Sequence, residues 1–357
     1  MKTRIANLRS RFAAVGVDGM LITRPENRAY LSGFSGSSGW LVVTVEKAYL
    51  LTDFRYTEQA GQEAPECTVV QHGRRIADTL REILRDEGSR RIGFEKDFVT
   101  YEQYETLRDK LPFAETVPLA GTVEELRMVK DTAELEMIAA AVGIADQAHA
   151  AILKYLRPGL TEKAVAVELE HRMKLLGSER NSFAPIVATG PRSSLPHGQP
   201  TERFLGRGEA VKMDFGAVYG GYCSDLTRTV YLGEVSARQK EIYAIVLAAQ
   251  LAAIAAVKPG VRGCDVDAVA RKIISDAGYG ENFGHGLGHS VGRYIHENPR
   301  LAPGSEAVLA PGNVVTIEPG IYIPGWGGVR IEDMVVITET GCRVLTEAPK
   351  ELTVIHY

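Results

Sequence analysis

The chain has 357 residues, 45% of them hydrophobic and 24% charged, with a formal net charge of −4 and a pI near 6.1. That length supports two domains with cores of their own, and the interspersed charge speaks against nucleic acid or an anionic membrane as the main partner. The four cysteines, Cys67, Cys223, Cys264 and Cys342, are scattered without metal-type spacing, which fits reduced thiols in a cytoplasmic protein.

Residues 1–10 carry Lys2, Arg4 and Arg9 but no adequate apolar stretch or cleavage site follows, so no secretory leader is expected. Helical patterns fall near 4–15, 55–63, 75–87 and 101–110. Residues 19–23 and 91–94 read as strands, and 40–45 with 48–52 as a hairpin around Glu46-Lys47. Asp53, Arg55 and Tyr56 follow a strand and read as a helix-starting Asp with solvated neighbours. Residues 1–122 are therefore expected to form an α/β domain without a catalytic constellation, and residues 123–357 a second domain.

The second domain opens with one long amphipathic helix over 131–156, closed by Pro158-Gly159. The most apolar run, 244–257, is interrupted by Gln250 and too short to span a bilayer, so no membrane helix is expected. The domain repeats itself. Pro158-Gly159 and a helical stretch ending at Gly177 are matched by Pro259-Gly260 and a stretch ending at Gly278, an offset of 101 residues. Gly208, Val211, Asp214 and Gly216 are matched by Gly312, Val315, Glu318 and Gly320, an offset of 104. Two copies of helix, helix and strands imply a pseudo-twofold α+β domain with helices on one side of a mostly antiparallel sheet.

Asp214 and Asp225 flank Tyr219-Gly220-Gly221. A turn centred on Tyr219-Gly220 sets them directly opposite, and a Gly220-Gly221 turn sets them two positions apart on a diagonal. Side chains alternate with period two, so both registers put the carboxylates on one face. Glu318 and Glu332 are equidistant from Gly325, which predicts a second hairpin with the same problem. Like charges opposed on a sheet destabilise it unless something neutralises them. Singly, each acid reads as a solvated carboxylate; two matched pairs in a duplicated frame call for cations. His289, in Gly284-His285-Gly286-Leu287-Gly288-His289, adds an imidazole from a loop that permits close approach. Four carboxylates and a His exceed what one divalent ion needs. The set suits two ions, Mn²⁺, Co²⁺, Fe²⁺ or Zn²⁺, and the lack of thiolates argues against a structural zinc.

His197 precedes the first acidic strand, His296 follows His289 by seven residues, and Arg330 precedes Glu332 by two, hence on the same face. A lone loop His is ordinarily a solvated residue; here both can donate to an oxyanion or carry a proton. His285 is explained equally well by backbone hydrogen bonding.

The order Asp–Asp–His–Glu–Glu, within MDFGAVYGGYCSDLTRT, FGHGLGHSVGRYIHE, VVTIEPGIY and GVRIEDMVVIT, resembles the pita-bread metallopeptidases. That family groups methionine aminopeptidases, Xaa-Pro aminopeptidases and Xaa-Pro dipeptidases (prolidases), and the match spans 124–357. LLTDFRYTEQA resembles the creatinase-like amino-terminal domain of the proline-specific branch. Creatinase shares that two-domain fold but lacks the metal set, which argues against a creatine amidinohydrolase.

The resemblance implies two divalent ions held by Asp214, Asp225, His289, Glu318 and Glu332, with Glu318 also taking a proton from the attacking water. It implies that His197 and His296 contact substrate, that Arg330 supports the carboxylates and that Phe183 walls the pocket, although a core Phe is an equal reading. It implies hydrolysis of Xaa-Pro bonds in short peptides by a homodimer. Arg300 aligns with an arginine that holds the C-terminal proline carboxylate in compact prolidases, a fork suited to that selection; a solvated loop Arg is the other reading. The expectation is a dipeptidase, with an aminopeptidase on longer peptides as the alternative. A binding module that lost catalysis is a further possibility, disfavoured by retention of all five ligands.

Overall fold

The computed structural model describes residues 1–357, and the chain divides into two compact units, Met1–Arg127 and Met128–Tyr357. The division lies five residues beyond 122, because the short helix Glu124–Arg127 is held in the first unit, where Arg127 donates to Asn27 Oδ1 at 2.5 Å.

The first unit is built on a six-stranded mixed sheet ordered Thr68–Gln71, Ala48–Thr52, Trp40–Thr44, Gly19–Ile22, Arg91–Glu95, Glu115–Leu119. Alternation along the strands sends Met20, Ile22, Leu41 and Val43 to one face, against Ile5, Leu8 and Phe12. Leu21 and Val42 face the other way, against Leu80, Leu84 and Leu107. The expected 4–15 helix is two helices, Lys2–Arg9 and Phe12–Val15. Ser10 Oγ donates back to Asn7 O at 2.8 Å, a local bond that competes with helix continuation. Helix Pro25–Ser32, which the sequence pattern did not reveal, starts on Pro25 and buries Arg28. Asp53 caps no helix: it accepts from the Arg55 backbone N–H at 3.0 Å and side chain at 2.8 Å, and the helix begins at Thr57.

The second unit opens with helix Thr132–Leu153, started by an Asp131–Glu134 capping box. With Glu162–Leu175 it covers a four-stranded sheet whose inner strands are Ala210–Phe215 and Leu226–Leu232, packing around Val187, Val211, Met213 and Val230. Helices Ala237–Ala256 and Gly263–Asp276 cover a five-stranded sheet centred on Val314–Ile317 and Asp333–Ile337, around Val315, Ile317 and Val335. Thr132–Leu153 and Ala237–Ala256 are long and apolar enough to cross a membrane by length and composition, so the 244–257 run understated the second of these. Each places part of its apolar residues in a packed cluster, through Ala148 and Ile152 in one and Val246 and Ala249 in the other.

The duplication holds down to single hydrogen bonds. Gly159 N–H donates to Leu205 O and Leu205 N–H to Leu160 O; Gly260 N–H donates to Leu309 O and Leu309 N–H to Val261 O. Of the two registers open for the first hairpin, the structure takes the diagonal one. Asp214 faces Thr227, so Asp225 stands two positions along. Gly220 and Gly221 both have positive φ, 56° and 76°, as a two-residue I′ turn requires. In the second hairpin Gly320 faces Arg330 and Ile317 faces Asp333, one register that sets Glu318 against Glu332.

Candidate active site

All ten residues singled out in the second domain line one cavity of about 610 Å³. The two hairpins deliver the acids to its floor. Ligand oxygens of Asp214, Asp225 and Glu332 lie within 4.8 Å of one another. His289 Nε2 is 3.5 Å from Asp225 Oδ2 and 3.4 Å from Glu318 Oε1, which closes the group of five.

Burial and crowding disfavour the charged forms of three of these acids. Burial first, and then Glu332, Asp214 and Glu318, drive the Asp225 carboxyl well above its usual range. Burial and the neighbouring Glu318 and Asp214 do the same to Glu332, and burial pushes Glu318 up to about 7. Burial also pushes His289 down to about 3, so its ring is neutral at pH 7. The tautomer is assigned from its partner: Nδ1 lies 3.1 Å from Ser290 O, which only accepts, so Nδ1 carries the proton. Nε2 therefore turns a lone pair on two carboxylates. Asp214 Oδ1 and Glu332 Oε1 are buried without any hydrogen-bond partner. Orphaned oxygens and a lone pair converging on one place are what divalent cations satisfy, and bound cations would reverse these shifts. The residues fit a metal centre.

Arg330 is a buried cation paired directly with one of the acids. It donates to Asp214 Oδ2, to Thr227 Oγ1 at 3.0 Å, to Tyr322 OH at 2.8 Å and to Pro196 O at 3.1 Å. Thr227 Oγ1 in turn donates to Glu332 Oε2 at 2.7 Å, and Thr316 Oγ1 to Glu318 Oε1 at 3.1 Å. These bonds orient the carboxylates, a role that outer partners of metal sites commonly fill.

His296 stacks edge-on against His289, ring centroids 4.5 Å apart. His197, Phe183 and Arg300 stand on the cavity wall. Arg300 is the direct strand partner of His289, so the ladder itself sets a guanidinium beside the metal-side imidazole. His285 reaches the cavity as well. Its Nδ1 donates to Gly286 O at 2.7 Å, which leaves Nε2 to accept from Tyr322 OH at 2.8 Å. Sequence reasoning missed Tyr322, Thr227 and the buried Lys212. Thr227 was legible in principle, since the diagonal register places it opposite Asp214.

The pattern of Metallopeptidase family M24 matches residues 136–339, and that of the Creatinase/Prolidase N-terminal domain residues 4–129. The chain belongs to the M24 metallopeptidases, with a creatinase-type α/β domain ahead of a pita-bread catalytic domain. It is 46% identical over 352 residues, 99% of this chain and 100% of the other, to the uncharacterized peptidase YqhT of Bacillus subtilis (strain 168). Among solved structures it is similar to the Xaa-Pro dipeptidase from Bacillus anthracis, at 45% identity and TM-score 0.97 with 99% of each chain covered. It is also similar to the X-Pro aminopeptidase from Thermotoga maritima MSB8, at 37% identity and TM-score 0.92, covering 97% of this chain and 100% of that one.

Proposed function

We propose that the chain is a hydrolase of Xaa-Pro peptide bonds that works with two divalent ions, Mn²⁺ foremost, and releases proline from dipeptides. The observation that carries the two-ion centre is the neutral His289 turned toward Asp225 and Glu318 beside two orphaned carboxylate oxygens. Asp214, Asp225, His289, Glu318 and Glu332 would hold the ions. When bound, these ions supply an activated water and polarise the scissile carbonyl.

The chain's own groups do the rest. Glu318, steadied by Thr316, takes the proton released during attack and returns it to the departing proline nitrogen. His197 and His296, at the cavity wall, donate to the oxygen on which charge develops. Phe183 supplies an apolar surface for the substrate. Arg300, fixed by its pairing with His289, grips the C-terminal carboxylate, and this supports the dipeptide reading. Proline suits a dedicated enzyme because its ring fixes φ and its nitrogen has no N–H for general peptidases to bind. The same reading carries a homodimer in the cytoplasm, which sedimentation and cell fractionation test.

Matched assays on Ala-Pro and Ala-Pro-Ala with added Mn²⁺ decide the matter. Proline release from the dipeptide alone is the expected result. Cleavage of the tripeptide points instead to an aminopeptidase, the activity named for the similar Thermotoga maritima protein. No hydrolysis of either, with no bound divalent ion, ends the enzyme reading.

A further inference from the structure

His197 stands on the 189–201 segment, and its place in the cavity depends on how that segment is fastened. We propose that Glu162, at the first position of helix Glu162–Leu175, is the positioning residue that holds His197 in the active site. The proposal rests on the peptidase reading above for what His197 does, and on hydrogen bonds alone for how it is held.

The Glu162 side chain is fully buried yet does not line the cavity. An acid at this position of a helix ordinarily points to solvent near the helix N-terminus, and the helix already has its cap, Thr161, which accepts from Ala164 N–H. Glu162 turns instead to the segment and ties both ends. Oε1 accepts from Thr189 N–H at 2.9 Å; Oε2 accepts from Thr201 N–H at 3.0 Å and Thr201 Oγ1 at 2.6 Å. Arg192 Nε donates to both oxygens, at 3.2 and 3.1 Å, and Arg192 Nη2 reaches Gln199 O at 2.6 Å. From the opposite side Lys212 Nζ donates to Leu195 O at 2.5 Å and Pro196 O at 3.3 Å, and Arg330 to Pro196 O. His197 thus follows a backbone carbonyl bound to the arginine that also holds Asp214, while Glu162 fixes the two ends of the span.

The other copy sharpens the assignment. Glu162 corresponds to Gly263: Glu162 N–H donates to Arg203 O and Lys163 N–H to Thr201 O, as Gly263 N–H does to Ala307 O and Cys264 N–H to Ser305 O. A Cβ at Gly263 would meet Arg300 O at 2.2 Å. There the chain of a cavity-lining residue packs directly on the helix start. In the first copy a carboxylate spans the corresponding gap, which makes Glu162 a designed tether in one half where the other half needs none.

The test uses Glu162→Gln, which keeps the shape and puts an amide donor against segment donors, and Thr201→Val, a milder change that removes the hydroxyl's bond to Glu162 together with the one it accepts from Arg203 N–H. Hydrogen exchange of the metal-loaded protein should show faster exchange confined to 189–201 in both variants, joined in Thr201→Val by the Arg203 amide that the lost hydroxyl had bound, with the strands of Asp214 and His289 unchanged. Unchanged protection in that segment overturns the tether, whatever the activity. Glu162→Gln should lower kcat on Ala-Pro by about 10- to 100-fold with KM moved less than about threefold and metal content intact. In a His197→Ala background the same substitution should cost nothing further, since its effect runs through His197. Losses that multiply instead overturn the proposal while leaving the peptidase reading standing. A wild-type protein inactive on both peptides defeats that reading, and the exchange experiment still decides the tether.

Discussion

Arg228 and Asp333 occupy corresponding strand positions in the two halves of the second unit and pair with each other, Nη2 to Oδ1 at 2.7 Å, both fully buried. Arg228 also donates to the backbone oxygens of Glu332, Ala348 and Pro349, and Asp333 accepts from Gln250 at 2.7 Å and from Lys350. The pair locks the two acidic hairpins together beneath the site. Removing one partner of a buried pair typically costs about 3–5 kcal/mol, because the other is left charged and unpaired. Asp333→Asn should therefore lower unfolding free energy in urea by about that amount. A loss within about 1 kcal/mol would mean that the brace does not bear on stability.

Asp225 yields a prediction of opposite sign in two conditions. Its carboxylate is held among like charges when no ion neutralises them. In chelator, Asp225→Asn should melt higher than wild type, since repulsion is relieved. In Mn²⁺ it should melt lower, since wild type gains stability from bound ions, and turnover should vanish. Thermal scans with and without chelator, alongside metal analysis, read both. Full activity of Asp225→Asn would exclude it from the metal centre.

Arg300 tests substrate length. A charge-assisted hydrogen bond contributes roughly 1.5–3 kcal/mol, so Arg300→Leu should raise KM for Ala-Pro by about 10- to 100-fold with kcat little changed. Equal loss on the free and the C-terminally amidated dipeptide would show that Arg300 does not read the carboxylate.

His149, on helix Thr132–Leu153, is buried with neither ring nitrogen hydrogen-bonded, and burial pushes it down to about 4 from 6.5. A depressed histidine means that the unfolded chain binds the proton first. Stability is thus undiminished above pH 6.5 and falls as pH drops from there toward 4, at up to about 1.4 kcal/mol per pH unit. His149→Leu should keep its stability at neutral pH and flatten this acid limb, measured as urea midpoints at pH 7 and 5. An unchanged limb would place the acid sensitivity elsewhere.

The sequence revealed the site better than the scaffold around it, and for a physical reason. Hairpin partners share a constant index relation, so Asp214 with Asp225 could be placed on one sheet face, and Glu318 opposite Glu332, from turn residues alone. The choice between registers rested on Gly220-Gly221, where paired glycines accept positive φ. Arg228, Lys212 and Glu162 left no such trace. Their partners lie on separate elements, and a buried charge reads in sequence like a solvated one. The structural division falls at Arg127 rather than at 122, where Arg127 is tied to Asn27 across a hundred residues.

The tie at Glu162 and the bare Gly263 give the duplication a direction. A perfectly repeated domain would offer a peptide two equivalent ways to lie down. Here one half presents an imidazole on a tethered span and the other a guanidinium on a strand. In the proposed enzyme that difference lets a pseudo-symmetric cage tell the amino end of its substrate from the carboxyl end.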